Sequence, residues 1–174
     1  MINKFGSLTR EDIISLLKIT PPLVADMPDR DNQVQPNGVD LTIKDVAMFS
    51  SAGTIPVDNK DRVLSSVSPL VFDGLDRLDL LPGCYLVTCN EIVNLPRNIM
   101  ALAYPRSSLL RCGVSVHTAI WDAGYSGRSQ SLMVVYNPQG IRIYRDTRFI
   151  QLVFFYLSKE VEEGYKGVFQ NENT

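Results

Sequence analysis

The sequence predicts a mainly β domain, a distorted barrel or double-sheet jelly roll with one short helix at its N-terminus. Three observations predict it. Apolar residues recur at helical spacing only near the start of the chain. From about Gly38 onward they fall into short alternating or continuous runs of strand length. Turn-forming stretches separate those runs, Pro82-Gly83 and Asn137-Pro138-Gln139-Gly140 among them. Many short strands with frequent turns fit an antiparallel barrel or jelly roll.

The helix comes first. Thr9 is placed to cap it, and Glu11 and Asp12 fall in its first turn, where the positive end of the helix dipole favours carboxylates. Ile13, Ile14, Leu16 and Leu17 supply the buried stripe, and Pro21 and Pro22 end the helical segment, residues 1–24. Residues 25–37 are polar and rich in Asp and Pro, and read as loop. Residues 39–43 alternate, with the apolar side chains on one face of a strand. Residues 50–70 follow no clear period and read as an insertion with a hairpin. Strands are expected at 84–88, 99–104, 132–136 and 141–145. Residues 150–157 are almost continuously apolar, as a strand covered on both faces is.

The 174 residues suffice for one domain with a real core, and no internal repeat divides them. A net charge of -2 argues against a general nucleic-acid binder, which would carry excess Lys and Arg. No apolar run approaches the roughly 20 residues that span a bilayer, and residues 1–10 lack the apolar stretch of a signal peptide. A cytoplasmic protein without membrane or nucleic-acid partners is expected. Cys84, Cys89 and Cys112 have no disulfide-framework spacing and are expected to be reduced. With His117 the single histidine and no C-x-x-C pair, a protein-built zinc site lacks ligands. His117 itself reads as a structural or partly exposed residue.

Four segments carry polar residues where a simple barrel would not need them: GVDL at 38–41, PRSSL at 105–109, WDAGYSG at 121–127 and RFIQLVF at 148–154. Taken singly, each is an ordinary turn or strand end. WDAGYSG reads as part of a tight hairpin, because Asp and Gly supply turn geometry. In this order, however, they resemble the superfamily shared by trimeric deoxyuridine triphosphatases and deoxycytidine triphosphate deaminases. A weaker match, YKGVFQ at 165–170, resembles that family's mobile C-terminal lid, here residues 160–174. The LTREDI helix is similar to the deaminase branch and its archaeal-type relatives.

The resemblance implies a dUTPase-like (β-clip) fold and a homotrimer with nucleotide sites at subunit interfaces. It implies that Arg106, Ser107 and Ser108 bind phosphate, for which an Arg fork and hydroxyls are suited. Asp122 would orient and deprotonate the attacking water and contact the sugar 3′-hydroxyl. Tyr125 would pack under deoxyribose and leave no room for a 2′-hydroxyl. Asp40 would support a water on Mg²⁺ from outside its coordination shell, the ion being held mainly by the triphosphate. Arg148 and Gln151 would brace the phosphate segment. The backbone around Ala119 would read uracil, Phe169 would close over the base, and Arg111 matches an arginine near the base in the deaminase branch.

Two activities share this scaffold. The zinc-free deaminases of the superfamily carry a Glu in the strand after the G-[FWY]-x-G turn. Here residues 128–145 contain no Asp or Glu, and its counterparts are Leu132, Met133 or Val134. The implied reaction is therefore hydrolysis of dUTP to dUMP and diphosphate, by attack at the α-phosphorus. A dCTP deaminase, alone or bifunctional, is the first alternative, and an inactive nucleotide-binding member is the second. One departure concerns the tail. Triphosphatases of the family end in a Gly-rich arm, whereas this tail has only Gly164 and Gly167.

Overall fold

The computed structural model describes residues 5–174. In chain order the elements are β1 (Gly6–Ser7), α1 (Arg10–Leu16), β2 (Val24–Ala25), α2 (Arg30–Gln33), β3 (Val34–Gln35), β4 (Gly38–Phe49), β5 (Val67–Pro69) and β6 (Arg77–Leu80). There follow β7 (Gly83–Cys89), β8 (Ile92–Asn94), β9 (Ile99–Pro105), α3 (Ser107–Arg111), β10 (Val114–His117), β11 (Ser126–Gly127), β12 (Gln130–Val135), β13 (Ile141–Tyr144) and β14 (Arg148–Tyr156).

Helix α1 starts where the sequence places it. Thr9 Oγ1 accepts from the Asp12 amide at 3.3 Å, and the Thr9 amide donates back to Asp12 Oδ2 at 3.3 Å. This reciprocal capping satisfies two amides that the helix itself cannot. Ile13 is fully buried against the sheet.

The main sheet runs β1-β14-β4-β7-β12-β10, with β3 and β5 added along β4 and β9 along β14. Every pairing is antiparallel. Strand β4 pairs β14 through Val39–Thr42, then β7 from Ile43 onward, with the register shifting between Ile43 and Asp45. A bulge bends its strand and adds local twist, and here it curls the sheet into a half-barrel. Strand β14 has partners on both edges. Its Phe149, Ile150, Leu152 and Phe154 are fully buried, but Gln151, Val153 and Phe155 are only half-buried, so the strand is not covered on both faces as its apolar run suggested.

Two readings change here. Strand β4 is longer than expected, and Gly38 to Ile43 are buried on both faces. Alternation there is between apolar and polar, not between buried and exposed: Asp40 and Thr42 face internal polar partners. Residues 25–37 are not all loop. Asp29 caps α2 by accepting from the Asn32 amide at 3.3 Å, so part of the Asp and Asn content encodes a helix start. The excursion at 50–70 carries its hairpin as an antiparallel bridge between Thr54 and Val63, then returns as β5 along β4. It leaves Ile55, Val57, Val63 and Leu64 exposed.

A buried carboxylate fixes the strand that bears Asp40. Glu91 is fully buried. It accepts from the Thr42 amide at 2.9 Å, Thr42 Oγ1 at 2.6 Å and Gln33 Nε2 at 2.6 Å. Gln33 Nε2 also donates to the Asp40 carbonyl at 2.8 Å. Burial pushes the Glu91 carboxyl up, and these donors oppose the shift. Thr42→Val removes one donor while keeping the shape. It is expected to cost about 2 kcal/mol, the range for a hydrogen bond to a charged group, read as a lower urea midpoint at unchanged m value.

The three cysteines are free, Cys89 buried and the others exposed. No helix among the described residues is long and apolar enough to cross a membrane. His117 ends β10, exposed and opposite Leu132.

Candidate active site

The conspicuous polar residues gather in two clefts. The first lies where β9 gives way to α3, beside β4 and β14. Pro105 ends β9 and Arg106 is extended (φ -64°, ψ 146°) before the helix begins. The Arg106 amide is tied to the Phe149 carbonyl at 3.0 Å, which fixes this corner to β14. Asp40 is 2% exposed, and its Oδ2 accepts two guanidiniums, Arg106 Nε at 3.1 Å and Arg148 Nη1 at 3.4 Å. Burial pushes the Asp40 carboxyl above its ordinary value, and the two arginines pull it down. Arg148 is held in turn by the Asn32 carbonyl at 2.5 Å. Across the β4–β14 ladder Asp40 stands opposite Gln151. Asp40, Arg106, Ser107 and Gln151 line a cleft of about 410 Å³. Ser107 and Ser108 are exposed at the start of α3, whereas Arg111 is exposed at its far end and lines neither cleft.

The second cleft is built around residues 118–129, the connection from β10 to β12. It is not the tight hairpin that Asp and Gly suggested. The β10–β12 ladder stops at the His117–Leu132 pair. Beyond it Trp121 bridges Ala101, and β11 pairs β8, so other strands capture the segment. Within it the Tyr125 amide donates to the Asp122 carbonyl at 3.1 Å, closing a turn. Gly124 adopts φ +84° there, and a Cβ would stand 2.6 Å from Gly164 Cα. Only glycine allows both. Asp122 is exposed while Tyr125 is 5% exposed.

The C-terminal tail completes this cleft. The Tyr165 amide donates to the Ala123 carbonyl at 2.8 Å, the Asn171 amide to Ser126 at 2.7 Å, and the Arg128 amide to the Glu172 carbonyl at 2.9 Å. Gln170 bonds the turn twice, accepting from the Ser126 amide and donating to the Gly124 carbonyl, each at 3.0 Å. The Tyr125 hydroxyl donates to Glu172 Oε1 at 2.8 Å. Phe169 joins Ala119, Asp122, Tyr125 and Glu172 in the wall, and Arg62 covers its ring at 5.7 Å. The cavity is about 90 Å³, well below the roughly 300 Å³ at which small-molecule pockets begin. It opens toward a larger apolar cleft of about 720 Å³ under the excursion, with which it shares Ala119, Gln130, Phe169 and Glu172. In the wall, Trp121 Nε1 is buried without a hydrogen-bond partner.

The residues expected to act together are thus partly assembled. Asp40, Arg106, Ser107 and Gln151 meet in one cleft, with Arg148 behind Asp40. Ala119, Asp122, Tyr125 and Phe169 meet in the other. The two clefts share no lining residue. Glu172 was not legible in the sequence: the stretch around it has no period, and only docking of the tail brings it to Tyr125. Among the described residues no three His, Cys, Asp or Glu side chains cluster to hold a metal ion. Asp40 is committed to two arginines and Asp122 is exposed. These donors fit an ion carried mainly by phosphate oxygens, not one caged by protein.

Comparison with known proteins identifies the family. A family model described as dCTP deaminase-like matches residues 7–157. A protein of Methanosarcina mazei named probable deoxyuridine 5′-triphosphate nucleotidohydrolase is 47% identical over 167 residues, 96% of this chain and 98% of that one. A protein of the same name from Archaeoglobus fulgidus is 44% identical over 151 residues, 87% of this chain and 88% of that one. Among solved structures, the 2′-deoxycytidine 5′-triphosphate deaminase of Agrobacterium tumefaciens superposes with a TM-score of 0.64 at 24% identity, over 87% of this chain and 48% of that one. The chain spans about half the length of that deaminase, and the likeness shows a common fold. The match over residues 7–157, together with near full-length identity to the archaeal relatives, establishes that the chain belongs to the dCTP deaminase-like family.

Proposed function

We propose that the protein hydrolyses dUTP to dUMP and diphosphate. The observation that carries this reading is the placement of Asp122, an exposed carboxylate at a cavity walled by the buried Tyr125 ring, while β12 offers no carboxylate of its own. Relatives matched over nearly the whole chain bear the corresponding name.

In the proposed reaction Asp122 orients a water and accepts its proton as the water oxygen attacks the α-phosphorus. The bond from that phosphorus to the bridging oxygen breaks, and diphosphate leaves with the electron pair. Arg106 with Ser107 and Ser108 binds the phosphate chain, where fixed donors oppose the charge that builds as the bond breaks. Arg148 and Gln151 would brace this segment. Mg²⁺, bound by the triphosphate, would neutralise part of its charge. The ring of Tyr125 would support the deoxyribose, and the backbone near Ala119 would face the base. Because Arg106 and Asp122 line separate clefts, a homotrimer that sets one subunit's first cleft against its neighbour's second fits the reading.

Deamination of dCTP is the second reading, and one observation favours it: the tail brings Glu172 into the cavity where β12 has no carboxylate. Incubation with dUTP and dCTP separates the readings. Diphosphate from dUTP, without ammonia from dCTP, is the expected result. Ammonia from dCTP would establish deamination, and tight dUTP binding without turnover would mark a silent nucleotide binder. Sedimentation equilibrium checks the trimer.

A further inference from the structure

We infer that Glu172 is a positioning residue for sugar specificity: it fixes the Tyr125 ring through the phenol hydroxyl and so sets the rejection of a 2′-hydroxyl. The inference rests on the proposed role of Tyr125 as the support for deoxyribose.

Tyr125 is held at two points. Its ring meets Tyr165 edge-on, with centroids 5.7 Å apart and planes at 70°. Its hydroxyl donates to Glu172 Oε1 at 2.8 Å. A buried phenol without a partner is costly, so this bond selects one ring position among those the two side-chain torsions permit. Gly127 is shaped to the same contact: a Cβ there would stand 2.6 Å from the Tyr125 hydroxyl oxygen and 3.2 Å from Glu172 Cγ.

Glu172 is itself fixed by the backbone. Its amide donates to the Phe169 carbonyl at 3.2 Å, and its carbonyl accepts from Arg128 at 2.9 Å. The side chain is therefore anchored on a stretch of tail already bonded to the turn. Burial pushes both the carboxyl and the phenol up, as expected for a pair withdrawn from water.

Two consequences follow for a bound sugar. The hydroxyl's proton is committed to Glu172 and is not available to a ribose 2′-hydroxyl. The ring cannot tilt to make space without breaking this part-buried bond. Rejection by shape is only as strict as the wall is stiff, and Glu172 stiffens this wall.

The test is the ratio of kcat/KM for dUTP to that for UTP, in wild type and in Glu172→Ala, Glu172→Gln, Tyr125→Phe, Tyr125→Ala and the double variant Glu172→Ala with Tyr125→Phe. Glu172→Ala is expected to lower the ratio about five- to tenfold, mainly through a lower KM for UTP. Glu172→Gln keeps an accepting oxygen and is expected to hold the ratio within about twofold. Tyr125→Phe is expected to match Glu172→Ala, and the double variant to add nothing, because both remove one bond. Should Glu172→Ala not fold, Tyr125→Phe makes the same cut from the other side.

The inference is overturned if Glu172→Ala and Tyr125→Phe leave the ratio unchanged while Tyr125→Ala collapses it; the support role of Tyr125 then stands. It is equally overturned if Glu172→Ala lowers kcat/KM for both nucleotides alike and lowers Tm, the mark of a purely structural residue. A ratio unmoved by Tyr125→Ala removes the role of Tyr125 and the inference with it. If wild type turns over neither nucleotide, the ratio of dUTP to UTP dissociation constants, by calorimetry, takes the place of the kinetic one.

Discussion

Asp122→Asn is expected to lower kcat for dUTP about a thousandfold, with dUTP affinity within a few-fold of wild type. The substitution keeps the size and shape of the side chain and removes its charge and its basicity. Asp122 is exposed, and its structural part is played by its carbonyl, which accepts from the Tyr125 amide at 3.1 Å. That bond survives the change, so the turn and the seat of Tyr125 should persist. Proton acceptance does not survive. A positioned general base contributes about 10² to 10⁴ in rate, and an amide cannot supply it. The amide also offers a donor toward the water, which disfavours the lone-pair orientation needed for attack. Steady-state kinetics with calorimetric binding in the presence of Mg²⁺ separates the two effects. A kcat equal to that of wild type would remove Asp122 from the role of base. A loss expressed in KM alone would make it a binding group.

The fold was legible in the sequence where local chemistry and packing agree. Thr9 and Asp12 cap α1 because their side chains reach the amides nearest to them in sequence. The run through β14 is apolar because two strands flank it and its Ile150, Leu152 and Phe154 are fully buried in the core. Legibility fails where a polar residue is buried against a partner distant in sequence. Asp40 and Thr42 look like the outer face of a half-exposed strand, yet their partners are Arg106 and Arg148 for one and Glu91 for the other. The polar loop at 25–37 hides the same feature, since Gln33 is fully buried between Glu91 and the Asp40 carbonyl.

The candidate site divides in the same way. Its chemical types were legible as motifs, because Arg with Ser, Asp with Gly and Tyr sit together in short segments. Its assembly was not. The separation of Arg106 from Asp122 depends on which strands capture the 118–129 connection. Glu172 depends on a docking that needs Gly124 and Gly164 to pass with no side chain between them.

Arg106→Ala is expected to reduce kcat/KM for dUTP by at least a thousandfold and also to destabilise the fold by about 3 kcal/mol at neutral pH. The two losses have one origin. Arg106 Nε holds Asp40 at 3.1 Å while the rest of the fork borders the first cleft, so the residue joins a buried carboxylate to the proposed phosphate site. Asp40 is 2% exposed in the intact fold, and removing Arg106 leaves it Arg148 at 3.4 Å as its remaining guanidinium. The pH dependence identifies the cause. Burial already holds the Asp40 carboxyl above its ordinary 3.8, and Arg106 is the largest influence in the opposite direction. Its loss moves the folded-state value further up. A carboxyl whose folded value exceeds its unfolded value binds its proton more tightly in the fold. Its contribution is therefore most favourable below the unfolded value and is lost as pH rises through the folded one. The stability deficit of Arg106→Ala should thus be smaller at pH 5 than at pH 7.5, measured by urea unfolding at both. A deficit independent of pH would mean that Arg106 stabilises by packing alone. Arg106→Lys separates charge from geometry: an ammonium restores the countercharge but not the planar fork, so stability should recover further than kcat/KM.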